Sequence, residues 1–207
     1  KLYVIVPKLV KQPIGILIRK IYDTIALNVD YSQQDIKAYG IVGTTFWDRK
    51  MVLLLNLYQL FELAAPEYYK TPEETRAKAT NYTVLLAEDA PFFRRMEREY
   101  LEEAGYRVLE AENGRDALEI LKKEKVDALI SDINMPYMDG LELISQIRKD
   151  EELKNLPAIA VTSLYNESQI QAGLDAGFDF YEIKLDKEML LEKLRILIQE
   201  RRSRNAG

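Results

Sequence analysis

From residue 82 onward, short apolar runs alternate along the chain with stretches in which apolar residues recur every three or four positions. The runs are typical of buried strands, and the recurring stretches are typical of helices with one apolar face. The pattern predicts five strands, at 83–87, 107–111, 127–131, 158–162 and 178–183. Because a helix follows each strand, we expect an α/β domain over residues 82–202, built on a doubly wound, five-stranded parallel sheet.

Helix boundary signals agree with this alternation. Asn113, Asp139 and Asp186 each precede a predicted helix and can accept a hydrogen bond from its first turn. Gly105 and Gly177 fall where two helices are expected to end. The connections from strand to helix are therefore short, and the residues that follow the strands should gather at one edge of the sheet.

The first 65 residues show a different pattern. Apolar runs without a helical period predict strands at 14–21, 41–45 and 51–55, a hairpin connection at 47–50 and a closing helix at 57–63. We interpret residues 1–65 as part of a small antiparallel β-barrel, and the proline-interrupted stretch 66–81 as a linker. Because so short a barrel makes a small core and the chain begins at Lys1, we expect more of it upstream.

Composition narrows the classes of protein. The apolar fraction is 47% and the charged fraction 30%, and the longest apolar runs are too short to cross a bilayer, so we expect no direct membrane insertion. The absence of cysteine fits a cytoplasmic protein. Residues 82–202 carry seventeen basic and twenty-six acidic groups, which argues against nucleic-acid binding. The chain has no histidine, so any phosphohistidine that it uses must come from another domain.

Charged side chains follow the predicted strands. Glu88 and Asp89 follow the first strand, Asp132 follows the third and Lys184 follows the fifth. In a flavodoxin-like strand order the first and third strands are neighbours, so the three carboxylates should lie close together. Each close pair would repel by roughly 4 kcal/mol at an effective dielectric of about 20. A hard divalent cation relieves this repulsion, and Mg²⁺ suits a site of oxygen ligands.

The side chains at this edge of the sheet also indicate a type of reaction. A carboxylate beside a metal ion, a lysine and a hydroxyl can act as a nucleophile toward phosphorus. Asp132 would be the nucleophile, Lys184 would neutralise charge on the phosphoryl oxygens, and Thr162, at the end of the fourth strand, would donate a hydrogen bond to one of them.

Residues 82–202 resemble a response-regulator receiver domain. The resemblance is carried by Glu88-Asp89, by Asp132-Ile-Asn-Met-Pro-Tyr-Met-Asp-Gly, and by Thr162, Tyr181 and Lys184. It implies that Asp132 accepts a phosphoryl group from the phosphohistidine of a phosphotransfer domain. The family usually has proline after the lysine, whereas this chain has Leu185.

The resemblance also implies a metal site and a switch. Asp89, Asp132 and the backbone carbonyl of Asn134 would bind Mg²⁺, and Glu88 would act through water. Thr162 and Tyr181 would move together when the domain is phosphorylated.

The N-terminal segment resembles the C-terminal part of a CheW-like domain, as found in chemotaxis coupling proteins and at the end of CheA-type kinases. The carriers are the segments 13–18, 40–44 and 50–63. In the receiver, the segments 88–94 and 184–186 look most like the receiver fused behind CheA-type kinases. The two resemblances together imply a CheA-like hybrid histidine kinase as the parent protein, with a CheW-like coupling protein or a chemoreceptor as partner. This fragment itself shows no ATP site, so at most it catalyses its own phosphorylation and dephosphorylation at aspartate.

Three other functions compete with this one. A cofactor-binding flavodoxin needs a phosphate loop after the first strand, where the acidic pair at Glu88 would repel phosphate. A phosphatase with an aspartate nucleophile needs a second acid two residues later, where this chain has Asn134. A non-catalytic coupling protein, with a CheW-like barrel and a receiver acting as adaptor or phosphate sink, stays open beside the hybrid kinase.

Overall fold

The computed structural model describes residues 2–6, 15–23, 38–65, 81–162, 167–184 and 186–205. The chain divides into two compact units, residues 1–71 and 72–207. The predicted linker lies almost wholly outside the described residues, and so does Leu185. Among the helices described, none is long and apolar enough to cross a membrane.

The first unit contains two antiparallel strand pairs and one helix. Strand β1 (Tyr3–Ile5) pairs with β2 (Ile16–Ile18), and β3 (Ile41–Trp47) pairs with β4 (Lys50–Leu55). Helix α1 (Leu57–Ala64) follows. The hairpin β3–β4 and the helix confirm the prediction for these residues, whereas the described strands form two separate pairs and leave the barrel a prediction.

The turn between β3 and β4 shows why this hairpin forms. Asp48 and Arg49 are its two central residues, and both have positive φ, +46° and +60°. Two-residue turns with both central residues in this region match the twist of the strands they connect. The polar pair at the tip therefore fixes the register of the apolar strands on either side.

The second unit is built on one sheet of five parallel strands. These are β5 (Thr83–Ala87), β6 (Arg107–Ala111), β7 (Ala128–Asp132), β8 (Ala158–Thr162) and β9 (Phe180–Ile183). Their order in the sheet is β6-β5-β7-β8-β9. The predicted doubly wound parallel sheet is confirmed, and β5 and β7 are neighbours at its centre, with Ala87 opposite Ser131.

The helices of this unit are α2 (Pro91–Glu103), α3 (Gly114–Leu121), α4 (Gly140–Lys149), α5 (Glu167–Ala176) and α6 (Lys187–Asn205). The three predicted caps are confirmed. The side chains of Asn113, Asp139 and Asp186 accept hydrogen bonds from backbone N–H groups three residues later, at 3.0, 2.8 and 3.0 Å.

The last strand begins later than predicted, at residue 180 instead of 178. Gly177 has a φ of +117°, and the N–H of Phe178 donates to the carbonyl of Gly173 at 3.1 Å. Phe178 therefore still closes the C-terminus of α5, and its buried side chain packs in the core rather than in the sheet.

The two faces of the sheet bury two separate cores because successive strand residues point to opposite sides. Leu85 and Leu129 face one core, which α3 and α4 cover. Leu86 and Ile130 face the other core, which α2 and α6 cover. Since the helices cover both faces, the open part of the sheet is the edge where the strands end.

Candidate active site

Three carboxylates meet at the carboxyl edge of the sheet. Asp132 is the last residue of β7, and Glu88 and Asp89 directly follow the neighbouring strand β5. One oxygen from each lies within 4.8 Å of the other two. Glu88 is 0% exposed and Asp132 is 5% exposed, whereas Asp89 is the most accessible of the three. The predicted acidic cluster is therefore assembled, and its open side is at Asp89.

Lys184 bridges two of these carboxylates. It directly follows β9 and is 4% exposed, and its Nζ lies 2.6 Å from Glu88 Oε2 and 2.8 Å from Asp132 Oδ2. The ammonium group also lies over the ring of Phe93, 4.7 Å from its centre. Lys184 thus forms ion pairs with two buried carboxylates at once.

Burial and neighbouring charge shift the pKa values of these groups. Burial raises the pKa of Glu88 to about 7, against the charge of Lys184, and the charge of Asp132 adds to the rise. Burial alone would lower the pKa of Lys184, but the charges of Glu88 and Asp132 and their hydrogen bonds outweigh it and raise that pKa. The lysine is therefore held as a cation inside the site.

The donor set fits a hard divalent cation. Mg²⁺ takes oxygen ligands, uses few direct carboxylates and keeps positions for water and phosphate oxygens. Glu88, Asp89 and Asp132 offer carboxylate oxygens at one point, with solvent access beside Asp89. Asn134 follows Asp132 by two residues on the same loop, with its side chain exposed, and the role of its carbonyl stays a prediction.

Thr162 ends β8, the strand next to that of Asp132, and Tyr181 lies on β9, one strand further from Asp132. Thr162 is 1% exposed, and its carbonyl accepts a hydrogen bond from the N–H of Lys184 at 2.8 Å. The ring of Tyr181, on β9, packs against the core that α3 and α4 cover. Its hydroxyl is enclosed, with no hydrogen-bond partner among the described residues. The structure thus brings Thr162 into contact with Lys184 and directs Tyr181 into the core, and their joint movement stays a prediction.

Arg94 is a residue of the site that the sequence did not reveal. Its Nη1 donates to the carbonyl oxygens of Glu88 and Asp89, at 2.8 and 3.2 Å, while its Nη2 pairs with Glu112 at 2.9 Å. It therefore fixes the backbone that carries both acids. In the sequence Arg94 stands at the end of the segment 88–94, which resembles receivers fused behind CheA-type kinases, but nothing there assigns it a contact.

Glu97, which interacts electrostatically with Glu88, is a second residue that we did not predict at this site. Its side chain is 1% exposed, and neither of its carboxyl oxygens has a hydrogen-bond partner among the described residues. Burial raises its pKa well above the usual value, and the negative charge of Glu88 raises it further. Its position was detectable, because Glu97 stands four residues after Phe93 and four before Leu101 on the apolar stripe of α2.

The fold and this site define a class of protein. Residues 84–198, more than half of the chain, match the family model of the response regulator receiver domain. The chain belongs to the response regulator receiver family.

Relatives place this receiver among chemotaxis proteins. The chain is 31% identical to the sensor histidine kinase CheAY of Helicobacter pylori over 196 residues, which is 88% of this chain and 24% of that protein. It is 37% identical to chemotaxis protein CheY-3 of Vibrio cholerae over 105 residues, which is 50% of this chain and 81% of that protein. The chain spans about a quarter of the length of the CheAY kinase.

Solved structures agree with the fold. The response regulator CheY4 of Vibrio cholerae superposes with a TM-score of 0.54 at 33% identity, over 57% of this chain and 99% of that one. The receiver domain of a sensor histidine kinase from Pseudomonas aeruginosa superposes with a TM-score of 0.55 at 27% identity, over 58% of this chain and 99% of that one. That second structure has a magnesium ion coordinated in its active-site cleft.

These comparisons confirm the predicted receiver, its place in chemotaxis-type phosphorelay signalling, and Mg²⁺ as the cofactor of the acidic site. Receiver domains interact with histidine kinase partners, as the prediction of a phosphotransfer partner requires. The CheW-like domain, the hybrid parent and the roles of individual site residues stay predictions.

Proposed function

We propose that this chain accepts a phosphoryl group on Asp132 from the phosphohistidine of a phosphotransfer domain. Asp89, Asp132 and the carbonyl of Asn134 would hold Mg²⁺, with Glu88 acting through water. The observation that carries the proposal is the arrangement of three carboxylates at one point, with Lys184 Nζ 2.8 Å from Asp132 Oδ2. A nucleophilic carboxylate, a hard cation and a buried lysine at one point suit phosphoryl transfer to an aspartate.

The transfer exchanges one bond for another. A carboxylate oxygen of Asp132 attacks phosphorus, the bond between phosphorus and the imidazole nitrogen breaks, and that nitrogen leaves with the electron pair. When bound, Mg²⁺ neutralises charge on the phosphoryl oxygens. Lys184 already contacts Asp132, so its ammonium group can bind an oxygen of the new acyl phosphate, and we expect the hydroxyl of Thr162 to donate to another.

We infer that the parent protein is a CheA-like hybrid histidine kinase. The match to the CheAY kinase covers 88% of this chain, about 182 residues, whereas only 126 residues lie from Tyr82 to Gly207. At least about 56 matched residues therefore precede the receiver. The relative that shares both parts of this chain is a sensor histidine kinase, and this supports the kinase; a coding sequence with no ATPase domain upstream would instead support the non-catalytic coupling protein.

The first unit, as a CheW-like domain, would dock a coupling protein or a chemoreceptor. Its hairpin supports this role, because Phe46, Trp47 and Met51 are 67%, 45% and 54% exposed. Exposed apolar side chains on adjacent strands are typical of interaction surfaces. Titrating a purified CheW-like coupling protein with the chain and with the Phe46→Ser, Trp47→Ser double variant tests the docking, and equal affinities would contradict it.

The phosphorylation is tested by the intact mass of the chain after incubation with Mg²⁺ and acetyl phosphate. We expect a gain of one phosphoryl group in the wild type and none in Asp132→Asn, because the amide has nearly the shape of the carboxylate but cannot act as the nucleophile. Omitting Mg²⁺ should also abolish the gain. Equal uptake by Asp132→Asn would show that another residue is the acceptor.

A further inference from the structure

The loop after Asp132 holds a tyrosine outward in an unusual conformation. Tyr137 has a φ of +66°, and the N–H of Met138 donates across it to the carbonyl of Pro136 at 2.7 Å. A hydrogen bond from i to i+2 with positive φ at the centre is a γ-turn of the strained kind. In residues 81–162, 167–184 and 186–205, only Tyr137 and two glycines have positive φ.

The surrounding structure enforces this turn. The side chain of Met138 is 8% exposed in the core, and its carbonyl accepts a hydrogen bond from the N–H of Gly114 at 3.0 Å. Gly140 packs so closely that a Cβ there would lie 2.3 Å from the carbonyl oxygen of Asp132. The loop is therefore anchored directly after Tyr137, at Met138, and through Gly140 to Asp132 itself.

Stability does not account for a tyrosine at this position. Its side chain is 77% exposed, the highest value among the large apolar side chains described in this unit. Glycine and asparagine take positive φ at much lower cost than an aromatic residue does. An exposed ring in an unfavourable backbone conformation gains little from burial, so its use must lie in what it contacts from outside.

The position of Tyr137 identifies that contact. Its loop follows β7, and the loop at Glu88 and Asp89 follows the neighbouring strand β5, so the two loops flank the opening above Asp132. Asp132 is 5% exposed, and the chain has no histidine. A donor histidine must therefore enter this opening from another domain, whose surface then comes against the loop that carries Tyr137.

We propose that Tyr137 is a docking contact for the phosphohistidine-bearing domain and determines how well that domain is recognised, without taking part in the transfer itself. Tyrosine is among the residue types that contribute most to protein interfaces, because it brings a large rigid ring and a polar end. The proposal rests on the proposed phosphoryl transfer to Asp132, but it concerns the partner and not the reaction.

The test compares two donors on the same variants. The protein donor is the autophosphorylated histidine kinase of which this chain is proposed to be a part, with its own receiver removed, and the small donor is phosphoramidate, which has the same phosphorus–nitrogen bond. Tyr137→Asn removes the ring and suits positive φ, while Tyr137→Phe keeps the ring. Ile196→Asn, at an exposed apolar position on α6, is the matched control.

For Tyr137→Asn we expect kcat/KM for transfer from the kinase to fall by about tenfold or more, mainly through KM, with uptake from phosphoramidate unchanged. Tyr137→Phe and Ile196→Asn should behave as the wild type with both donors. An equal loss with both donors would overturn the proposal, because the residue would then shape the site itself. Undiminished transfer from the kinase would overturn it as well. Failure of the wild type with both donors would instead refute the transfer to Asp132.

Discussion

Replacing Glu97 should stabilise the receiver, and by an amount that grows with pH. The carboxyl group is 1% exposed, has no hydrogen-bond partner among the described residues, and lies on the face of α2 that packs on the sheet. Leaving a buried polar group unsatisfied costs about 1–3 kcal/mol. Glu97→Leu removes this cost and adds an apolar side chain at a core position, so we expect a gain of at least about 1–3 kcal/mol in the free energy of unfolding.

The pH dependence follows from the raised pKa. Burial, with the charge of Glu88, raises the pKa of Glu97 in the folded state well above its usual 4.5. Below pH 4.5 the group is protonated in both states and contributes no pH dependence. Above it the unfolded state loses the proton first, so the wild type loses about 1.4 kcal/mol of stability per pH unit until the folded-state pKa is reached. Glu97→Leu and Glu97→Gln lack this loss.

Urea unfolding without Mg²⁺, measured at several values from pH 4 to pH 7, checks the prediction. The pKa of Glu88 is also raised, to about 7, so the ionisation of Glu88 lowers the stability of all three proteins over the same pH range. The quantity to compare is therefore the difference between each variant and the wild type. That difference should be smallest near pH 4 and increase with pH for both Glu97→Leu and Glu97→Gln. Parallel curves would refute the reasoning, because Glu97 would then be ionised and paired in the folded state.

Glu97 also shows how far sequence patterns reach in this chain. The spacing from Phe93 to Leu101 indicates that position 97 faces the core, since it continues an apolar stripe at intervals of four. The pattern does not show whether a buried acid finds a partner, because that depends on side chains from other elements. Its nearness to Glu88 and Lys184 becomes visible only when α2 is packed on the sheet.

The sequence predicted that the three carboxylates lie together, but it did not predict which side chains they contact. Because parallel strands end at one edge, Glu88, Asp89 and Asp132 could be brought together from the order of strands alone. The sequence could not show which of the two consecutive acids, Glu88 or Asp89, is buried and which is accessible to solvent. In the structure Glu88 points inward to Lys184 at 2.6 Å, whereas Asp89 stays at the open side. That difference is set by the turn after β5, which Arg94 fixes.

Loop conformations were the least predictable part. The motif after Asp132 contains Tyr137, but the sequence did not show the conformation of this residue. Its positive φ results from contacts of the neighbouring Met138 and Gly140. The predicted start of β9 was wrong by two residues, because Phe178, after Gly177, still donates a hydrogen bond to the last turn of α5. In the loop, contacts with residues elsewhere in the chain decide the conformation, whereas at β9 a local hydrogen bond at the helix end delays the strand.

Two further predictions concern packing away from the acidic cluster. Arg148→Ala should lower the free energy of unfolding by about 2–4 kcal/mol. The guanidinium group donates four hydrogen bonds at 2.7–3.1 Å, to the carbonyls of Leu156, Lys154 and Gly177 and to Asp179. Urea unfolding would measure the loss, and the control is Arg107→Ala, which removes a 64% exposed side chain with one ion pair at 3.9 Å and should change the free energy of unfolding by less than about 1 kcal/mol. Gly173→Ala should drive the ring of Tyr181 outward, since the added Cβ would lie 2.7 and 2.9 Å from two ring carbons. Tyrosine side-chain NMR would detect the change as new solvent exposure of the ring, and an unaltered inward ring would mean that α5 shifts instead and that Gly173 does not control the position of Tyr181.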